Sequence, residues 1–390
     1  MAHRFGGQVP PRTKGVLAAL AAVLGVATAI GIVVLRPSGG ERPNLRGLGF
    51  TGEVYEAEVV AADLVPCQGQ PEEGVECRRI AFELREGPDA GRTARQEFVQ
   101  TASAPDLAPG DDVLLARDPQ AAPGFEYRFV DRDRGVLLFW LAAAFGLAVV
   151  ALGRLRGVAA LAGLAVSIGV LLWFVLPSIL DGRNPLAVAL VGSAAIAFLA
   201  LYLAHGFSTM TTVALLGTLG SLALTAVLAN VFVGLAAISG FASEEAVIVQ
   251  LGAARIDLAG IVLGGVVIGA LGAIDDMTVT QASAVWELQA ANPRMGRAAL
   301  AGAGMRIGRN HVASTVNTLA LAYAGASMPV LLLLILSRQP LTTVASGEVI
   351  ATEIVRTLVG SIGLVAAVPL TTWLAAWAAP QPRRAAEDPG

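Results

Sequence analysis

Lysine and cysteine are nearly missing from this chain of 390 residues. Lys14 is the only lysine, so arginine alone must indicate how the chain is oriented in a membrane. Cys67 and Cys77 are the only cysteines, and no histidine accompanies them in the sequence. The ligand spacings of zinc sites are therefore absent, and we expect no metal site and no cofactor.

Charge is also scarce, and its scarcity sets the class of protein. Charged residues make up 15% of the chain and hydrophobic residues 55%, whereas a soluble domain has about 25% charged residues. Together with a mean hydropathy of +0.66, this composition predicts an integral membrane protein. The net charge of -3 argues against a nucleic-acid partner, which normally requires a basic face.

Long apolar runs are what the chain does have, and they occur in windows that suit membrane helices of about 20 residues. The first window reads as an anchor and not as a cleaved signal, because it is long and no small-residue cleavage site follows it. The windows are residues 16–35, 135–153, 158–180, 186–204, 211–239, 257–274, 312–336 and 350–378. We therefore expect an α-helical polytopic membrane protein with about eight transmembrane helices.

Arginine is concentrated in every second loop, which predicts that both termini lie in the cytoplasm. The loops assigned to the cytoplasm hold Arg154, Arg156, Arg294, Arg297, Arg306, Arg309, Arg383 and Arg384. The expected parts are a basic N-terminus (1–15), the anchor (16–35), an extracytoplasmic domain (41–134), a seven-helix membrane core (135–379) with a cytoplasmic amphipathic segment (277–311), and a cytoplasmic tail (380–390).

The polar segment 41–134 shows the alternation of short β-strands, with five candidate strands separated by Gly and Pro turns. Five such strands suit a small OB-like barrel, a fold that does not by itself give a function. Cys67 and Cys77 both fall in this segment, on the oxidising side of the membrane. They are expected to form one disulfide that closes a short loop.

Two adjacent aspartates, Asp275 and Asp276, end the glycine-rich run of the sixth window. An ionised aspartate costs about 2.5–3.5 kcal/mol at the centre of a membrane helix, so carboxylates at that depth are usually paired, hydrated or part of an ion path. The alternative is that both lie in the aqueous headgroup layer. Neighbouring residues point to different helix faces, and Asp276, one turn from Thr280, is the preferred functional group.

Polar residues also enter the seventh window at helical spacing. Asn310, Ser314 and Asn317 share one face, and His311, Thr315 and Thr318 lie beside them. A polar stripe in a membrane helix must face other helices or water. The expected ion or proton path therefore consists of Asp275, Asp276, His311, Asn317 and Thr318. Between the two windows, residues 277–291 have helical periodicity and are expected to lie along the interface with Trp286 as an anchor.

Two further groups of charges have a functional and a structural interpretation. Glu353 and Arg356 stand at i and i+3 in the last window, where an ion pair within the helix is the simpler interpretation. Glu244, Glu245 and Asp257 flank the start of the sixth window. They could form an outer vestibule for a cation, or belong to a solvated loop.

The chain resembles the YibE/F-like family of bacterial multi-pass membrane proteins. The resemblance rests on the stretches GFASEEA, GAIDDMTVTQ, NHVASTVNTLALAYAGASMP and EIVRTLVGSIGLVAAVPLTT. It implies location in the bacterial inner membrane and no particular activity. Residues 186–379 also resemble the SecF-type and resistance-nodulation-division membrane cores, in which an aspartate ends a span and a Thr/Asn-rich span follows. The arginine-rich run that follows that aspartate in SecF is missing here, and eight spans replace six.

The leading hypothesis is a transporter or export-assisting permease that is driven by an ion gradient, because no GxxxxGK[ST] phosphate loop is present. The alternative is a non-transporting scaffold or signalling protein whose outer domain binds envelope partners. An enzyme is not expected, because HExxH and GxSxG motifs are absent and the neighbouring aspartates cannot form a dyad. The expected partners are the lipid bilayer and a small ion or an envelope protein, with a homo-oligomer left open.

Overall fold

The computed structural model of the chain describes residues 9–39, 53–67, 76–101, 104–122, 124–242, 244–252, 256–336, 338 and 340–380. Two compact units divide the chain. One consists of Asn44–Val149, and the other of Met1–Pro43 together with Val150–Gly390. The first unit contains all five strands, and the second contains most of the helices.

The strands form one antiparallel sheet in the order β3-β2-β1-β4-β5. Apolar residues at alternate positions of β1, β2 and β4 are buried on one face, among them Val59, Phe82 and Leu115. This period of two is what a sheet with one buried face requires. The strands are β1 (Val54–Pro66), β2 (Glu76–Leu84), β3 (Thr93–Val99), β4 (Asp112–Arg117) and β5 (Tyr127–Arg132).

The sheet curls, so that its two outer strands approach each other. The backbone N–H of Phe129 in β5 donates to Oε1 of Gln96 in β3 at 2.9 Å. The rings of Phe98 and Phe129 meet edge to face, with their centroids 5.8 Å apart. Leu107, in the connection between β3 and β4, is fully buried in the same core.

Twelve α-helices are found in the described residues. They are α1 (Pro11–Leu35), α2 (Gly135–Gly153), α3 (Leu155–Val170), α4 (Leu176–Leu180), α5 (Pro185–His205), α6 (Thr209–Leu235), α7 (Glu244–Gly252), α8 (Leu258–Ala291), α9 (Arg297–Ala326), α10 (Met328–Leu336), α11 (Leu341–Ser346) and α12 (Glu348–Ala378). A π-helical turn over Leu171–Val175 joins α3 to α4. Pro177 follows it, and because proline has no N–H, the regular hydrogen bonding of the preceding turn is broken.

Seven helical stretches among the described residues are long and apolar enough to cross a membrane, and α9 with α10 makes an eighth if that bent pair is one span. By length and composition, these helices are those of a multi-pass membrane protein. The seventh window predicts one helix, whereas the structure bends by 64° between α9 and α10. The bend falls at Ser327, two residues before Pro329, whose missing N–H interrupts the helix.

Helices α6, α8 and α12 pack against one another at the centre of the second unit, with α5 against α8 and α9 against α8 and α12. Small residues allow the close approach. A methyl group on Gly217 of α6 would overlap the hydroxyl of Thr371 in α12, and one on Gly363 of α12 would overlap the hydroxyl of Thr225 in α6. Glycine at such contacts is typical of membrane helix pairs.

The structure corrects the expected course of the chain after the aspartates. Helix α8 continues without a break to Ala291 and is 34 residues long, or roughly 50 Å, against a hydrocarbon layer of about 30 Å. Trp286 is only 4% exposed and packs with Leu17 of α1 and Leu300 of α9. It therefore serves as a core residue of the helix bundle and not as an interfacial anchor.

Candidate functional site

A row of polar side chains lies inside the contact between α6, α8 and α12, among otherwise apolar residues. We call it the polar seam. Its members are Thr218, Ser221 and Thr225 of α6, Asp275, Thr278 and Gln281 of α8, and Thr371 and Thr372 of α12. All of them except the half-buried Asp275 are buried. The seam occurs where these three helices meet because glycines let them approach closely at this level.

Asp275 is the only carboxylate of the seam, and its contacts involve two threonines. The hydroxyl of Thr218 donates to Oδ1 of Asp275 at 3.4 Å. The hydroxyls of Thr218 and Thr278 lie 2.7 Å apart, and that of Thr278 donates to the backbone carbonyl of Asp275 at 3.0 Å. None of the ion pairs among the described residues includes Asp275, so its neighbours there are hydroxyl groups and not cations.

Gln281 stands nearly two turns further along α8 and links three helices. Its Nε2 donates to the backbone carbonyl of Gly304 in α9 at 2.8 Å and to the hydroxyl of Thr372 in α12 at 2.7 Å. The Thr372 hydroxyl in turn donates to the carbonyl of Val368 at 2.6 Å. A buried amide satisfied in this way fixes the relative positions of α8, α9 and α12 at one end of the seam.

Two hydroxyls of the seam have no hydrogen-bond partner among the described residues. These are Oγ of Ser221 and Oγ1 of Thr371, both in fully buried residues. Other buried hydroxyls of the bundle share this property, including Ser361 of α12. An unpaired buried hydroxyl costs free energy, so such groups usually bind water or a ligand at some stage.

The two aspartates occupy different faces of α8. Asp275 is half-buried and points toward α6, whereas Asp276 is exposed and shares its face with the exposed Thr280. Asp276 was the residue that the sequence favoured, because of its spacing to Thr280. The spacing is real, but it places Asp276 on the outer face, and Asp275 is the aspartate that lies in the seam.

The polar residues of α9 are not joined to the aspartates by any hydrogen bond among the described residues. His311 is half-buried, and its Nε2 is buried without a partner. Asn317 and Thr318 are exposed, and the Thr318 hydroxyl donates to the carbonyl of Ser314 in its own helix at 3.0 Å. The structure thus brings Asp275 together with residues of α6 rather than with those of α9.

Glu353 and Arg356 form an ion pair within α12, at 2.8 Å between Oε1 and Nη1. Both side chains are about three-quarters buried, with 26% and 27% exposure. The Arg356 guanidinium also lies 6.0 Å from the ring centroid of Tyr323 in α9, which is at the limit of a cation–π contact. This cluster places a paired charge between α9 and α12, several turns along α12 from the seam.

The remaining predicted residues lie elsewhere. Asp257 caps α8, because its Oδ1 accepts the backbone N–H of Gly260 at 2.9 Å. Glu245 is exposed on α7, and the side chain of Glu244 lies outside the described residues.

Cys67, which follows β1, and Cys77 of β2 form a disulfide. Within the described part of the chain, no group of three or more His, Cys, Asp or Glu side chains is arranged to hold a metal ion.

The seam was missed from the sequence, although a signal for it exists. Thr211, Thr218 and Thr225 recur every seventh position in α6, with Ser221 between the last two. That spacing places them on one helix face. The window appeared uniformly apolar because threonine and serine barely lower its mean hydropathy, and both residue types also bond back to their own helix, as Thr225 does to Ser221.

A family model described as "YibE/F-like protein" matches residues 141–381, which is more than half of the chain. The matched span contains the whole polar seam and the Glu353–Arg356 pair, and it excludes α1 and the β-sheet. No curated protein and no solved structure matches the chain. The seam lies within the matched residues, and its chemistry must be argued from its own geometry.

Proposed function

We propose that this chain, which belongs to the YibE/F-like family, is an ion-gradient-linked membrane transporter or export-assisting permease in which Asp275 takes up and releases a proton. The seam supports this proposal, because it is a polar path inside a bundle whose other buried residues are mostly apolar. Carboxylates placed in this way inside membrane proteins commonly belong to proton or ion paths.

The main support for the proposal is the number of protons that are available to the hydrogen bonds around Asp275. Three oxygen pairs, at 3.4, 2.7 and 3.0 Å, join Thr218, Thr278 and the carboxyl and carbonyl groups of Asp275. Two hydroxyl groups supply only two protons, so one pair lacks a donor when Asp275 is ionised. When Asp275 is protonated, it can donate to Thr218, so that Thr218 donates to Thr278 and Thr278 to the carbonyl. The neutral acid thus gives each of the three pairs a donor, whereas the ionised acid, to which the Thr218 hydroxyl donates, leaves the pair between Thr218 and Thr278 without one.

Loss of that proton changes the seam in a defined way. The Thr218 hydroxyl then donates to the carboxylate, along the 3.4 Å contact that the structure shows, and the pair between Thr218 and Thr278 loses its donor. The unpaired hydroxyls of Ser221 and Thr371 offer further donors and acceptors next to this group. Reorientation of hydroxyl protons along the seam is a means of passing a proton between Asp275 and water, provided that water enters from at least one end.

Proton uptake by proteoliposomes that contain the purified protein tests this function. A pH-sensitive dye is enclosed, and a membrane potential is imposed with potassium and valinomycin. We expect uptake that depends on the protein and falls at least about tenfold in Asp275→Asn, since the amide retains the shape but cannot bind and release a proton. Uptake that is unchanged in Asp275→Asn would exclude the proposed role.

Asp276→Asn is the matched control. It makes the same chemical change on the next residue, on the exposed face of α8. We expect uptake to stay close to that of the unaltered protein. Equal loss in both variants would indicate a general effect of charge near the end of the membrane layer instead of a role for the seam.

Several further assignments belong to this proposal. The protein lies in the bacterial inner membrane with both termini in the cytoplasm and the β-sheet unit outside, and it is not an enzyme. We also propose that the β-sheet unit is an OB-like barrel, supported by the strand order and by the approach of β3 to β5. The proposed partners of the protein are the lipid bilayer and a small ion. An envelope protein is the candidate partner of the β-sheet unit.

The separate core of the β-sheet unit supports a second candidate, a scaffold or signalling protein that binds an envelope partner through this unit. This alternative makes a distinct prediction. Deletion of residues 41–134 would abolish the biological activity, whereas substitution of Asp275 or Asp276 by Asn would leave it intact. The transport proposal predicts the opposite: Asp275→Asn should impair proton uptake more than deletion of the β-sheet unit does.

A further inference from the structure

A groove with a volume of about 760 Å³ opens between α6 and α12. Its walls are apolar apart from one serine. They consist of Gly220, Ser221, Leu224, Ala366, Pro369, Leu370, Trp373, Leu374 and Trp377. The volume falls within the range of about 300–1,000 Å³ that is typical of small-molecule sites. Because α6 and α12 both belong to the candidate membrane spans, the groove faces the lipid.

The length of the groove corresponds to one leaflet. Ala366 and Trp377 are eleven positions apart on α12, which is roughly 16 Å along a helix axis. Half of a hydrocarbon layer about 30 Å thick is about 15 Å. Trp377 stands one residue before the end of α12, where tryptophan commonly marks the boundary between hydrocarbon and headgroups.

Particular residues create the groove. Gly220 lets α12 approach α6, because a Cβ atom there would lie 2.7 Å from Cδ2 of Leu370. Pro369 is inside α12 and has no N–H to donate to the preceding turn, which loosens the helix at this point. Trp373 is 58% exposed and forms one side of the opening. The cleft therefore follows from the residues at this contact and not from a loose general packing.

Ser221 distinguishes the groove from an ordinary lipid-facing surface. It belongs to both the groove wall and the polar seam, it is fully buried, and its Oγ has no hydrogen-bond partner among the described residues. On α6 it stands one turn from Thr218, the residue whose hydroxyl contacts Asp275.

We propose that the groove binds one acyl chain of a phospholipid from the leaflet in which α12 ends, with its glycerol end near Trp377 and its methyl end near Ala366. The apolar wall, the length of one leaflet and the terminal tryptophan all fit this occupant. The binding does not depend on the proposed proton transfer and can be tested without it.

Photolabelling tests the site in the full-length protein. Proteoliposomes of phosphatidylcholine include a small fraction of phosphatidylcholine with a diazirine on one acyl chain, and adducts are mapped by mass spectrometry. We expect adducts to concentrate on residues 220–224 and 366–377. Leu224→Trp should lower labelling of 366–377 on the order of tenfold, because the indole displaces at least two methylene groups of the chain.

The control places the same substitution on an equally exposed leucine of another span. Leu203 of α5 is 45% exposed, compared with 38% for Leu224, and it does not line the groove. Leu203→Trp should leave labelling of 366–377 unchanged. Two results would overturn the proposal: labelling that is spread evenly over the exposed apolar residues of all spans, or labelling that does not respond to Leu224→Trp. Either would show only the lipid that surrounds any membrane protein.

A second copy of the chain is the competing occupant, and one variant separates it from lipid. The natural cysteines form a disulfide with each other, so Leu224→Cys introduces one free thiol beside the groove. An acyl chain in the groove predicts no disulfide-linked dimer under mild oxidation. A dimer formed through this thiol would show that protein covers the groove, and it would overturn the lipid assignment.

Discussion

The two units of the molecule distribute their polar groups in opposite ways. In the β-sheet unit the buried core is apolar, and the charges form ion pairs on the surface, such as Arg85 with Glu58 and Asp112. In the helical unit the surface is largely apolar, and threonine, serine, glutamine and aspartate side chains lie inside. Water solvates charges on the first unit, whereas lipid cannot solvate them on the second.

This contrast indicates where function resides in each unit. The surface ion pairs of the sheet are solvated and need no special explanation. Buried polar groups inside a membrane bundle cost free energy unless they are bonded, and two of those in the seam have no partner among the described residues. The helical unit therefore keeps buried hydroxyl groups that stability alone does not require, whereas no serine or threonine hydroxyl is buried without a partner among the described residues of the sheet unit. Each of the following predictions tests one side of this contrast.

The largest effect is expected from the apolar core of the sheet. Phe82 is 1% exposed and stacks near Phe129, so Phe82→Ala should lower the free energy of unfolding of this unit by about 3–5 kcal/mol. Hydrogen exchange of the full-length protein should show faster exchange in β1, β2 and β4 and no change in α6, α8 and α12. Faster exchange in both units would contradict their independence.

Alkaline pH should weaken the same unit through one tyrosine. Burial, followed by the hydrogen bond to Asp89, raises the pKa of Tyr127 to about 12. A tyrosine in the unfolded chain has a pKa of about 10. Its contribution is therefore complete below about pH 10 and is lost as the pH rises from about 10 to about 12. The loss is at most about 3 kcal/mol.

Tyr127→Phe provides the comparison for this pH effect. The variant cannot ionise at this position, so unfolding of its sheet unit should be less sensitive to pH above about 10. The ultraviolet absorbance of ionised tyrosine follows the titration directly. An identical alkaline unfolding profile in the variant would show that Tyr127 is not the responsible group.

A smaller effect is expected in the helical unit from Gln281→Leu. Substitution leaves the carbonyl of Gly304 and the hydroxyl of Thr372 without their donor, which costs about 1–3 kcal/mol for buried groups. The thermal midpoint in detergent should fall, and Glu287→Leu on the exposed face of α8 should change it little. A higher midpoint in Gln281→Leu would mean that the buried amide serves function at the expense of stability.

The smallest effect is expected from a surface ion pair of the sheet. Arg79 donates twice to Oε1 of Glu97, at 2.9 and 2.7 Å, and its side chain is 37% exposed. Glu97→Gln should therefore cost less than about 1 kcal/mol, and less still at high salt. A loss as large as that of Phe82→Ala would reverse the contrast, since it would make surface charge the main stabilising element.

Much of the fold could be predicted from the sequence, because the two periodicities are strong. The second apolar window, residues 135–153, coincides with α2, and five alternating segments became five strands. The bend at Ser327 was missed because Pro329 stands inside an apolar run that otherwise suits one helix. The continuation of α8 was missed because polarity at 277–291 suggested an interface, whereas those residues bury their apolar face against other helices.

The site was predicted less well, for a reason that lies in the contacts between helices. Asp275 stands out because a carboxylate ends an apolar run. Which aspartate faces inward depends on where α6 packs, and a single sequence does not contain that information. The threonines of α6 are polar only in their hydroxyl groups, so hydropathy does not separate a buried seam from ordinary helix surface.

Infrared difference spectroscopy tests most directly the claim that Asp275 carries a proton inside the helical unit. Spectra of proteoliposomes before and after an imposed proton gradient should contain a carboxylic-acid band that shifts in deuterated water. The account predicts that Asp275→Asn removes this band and that Asp276→Asn retains it. A band that persists in Asp275→Asn, or one that disappears only in Asp276→Asn, would contradict the account.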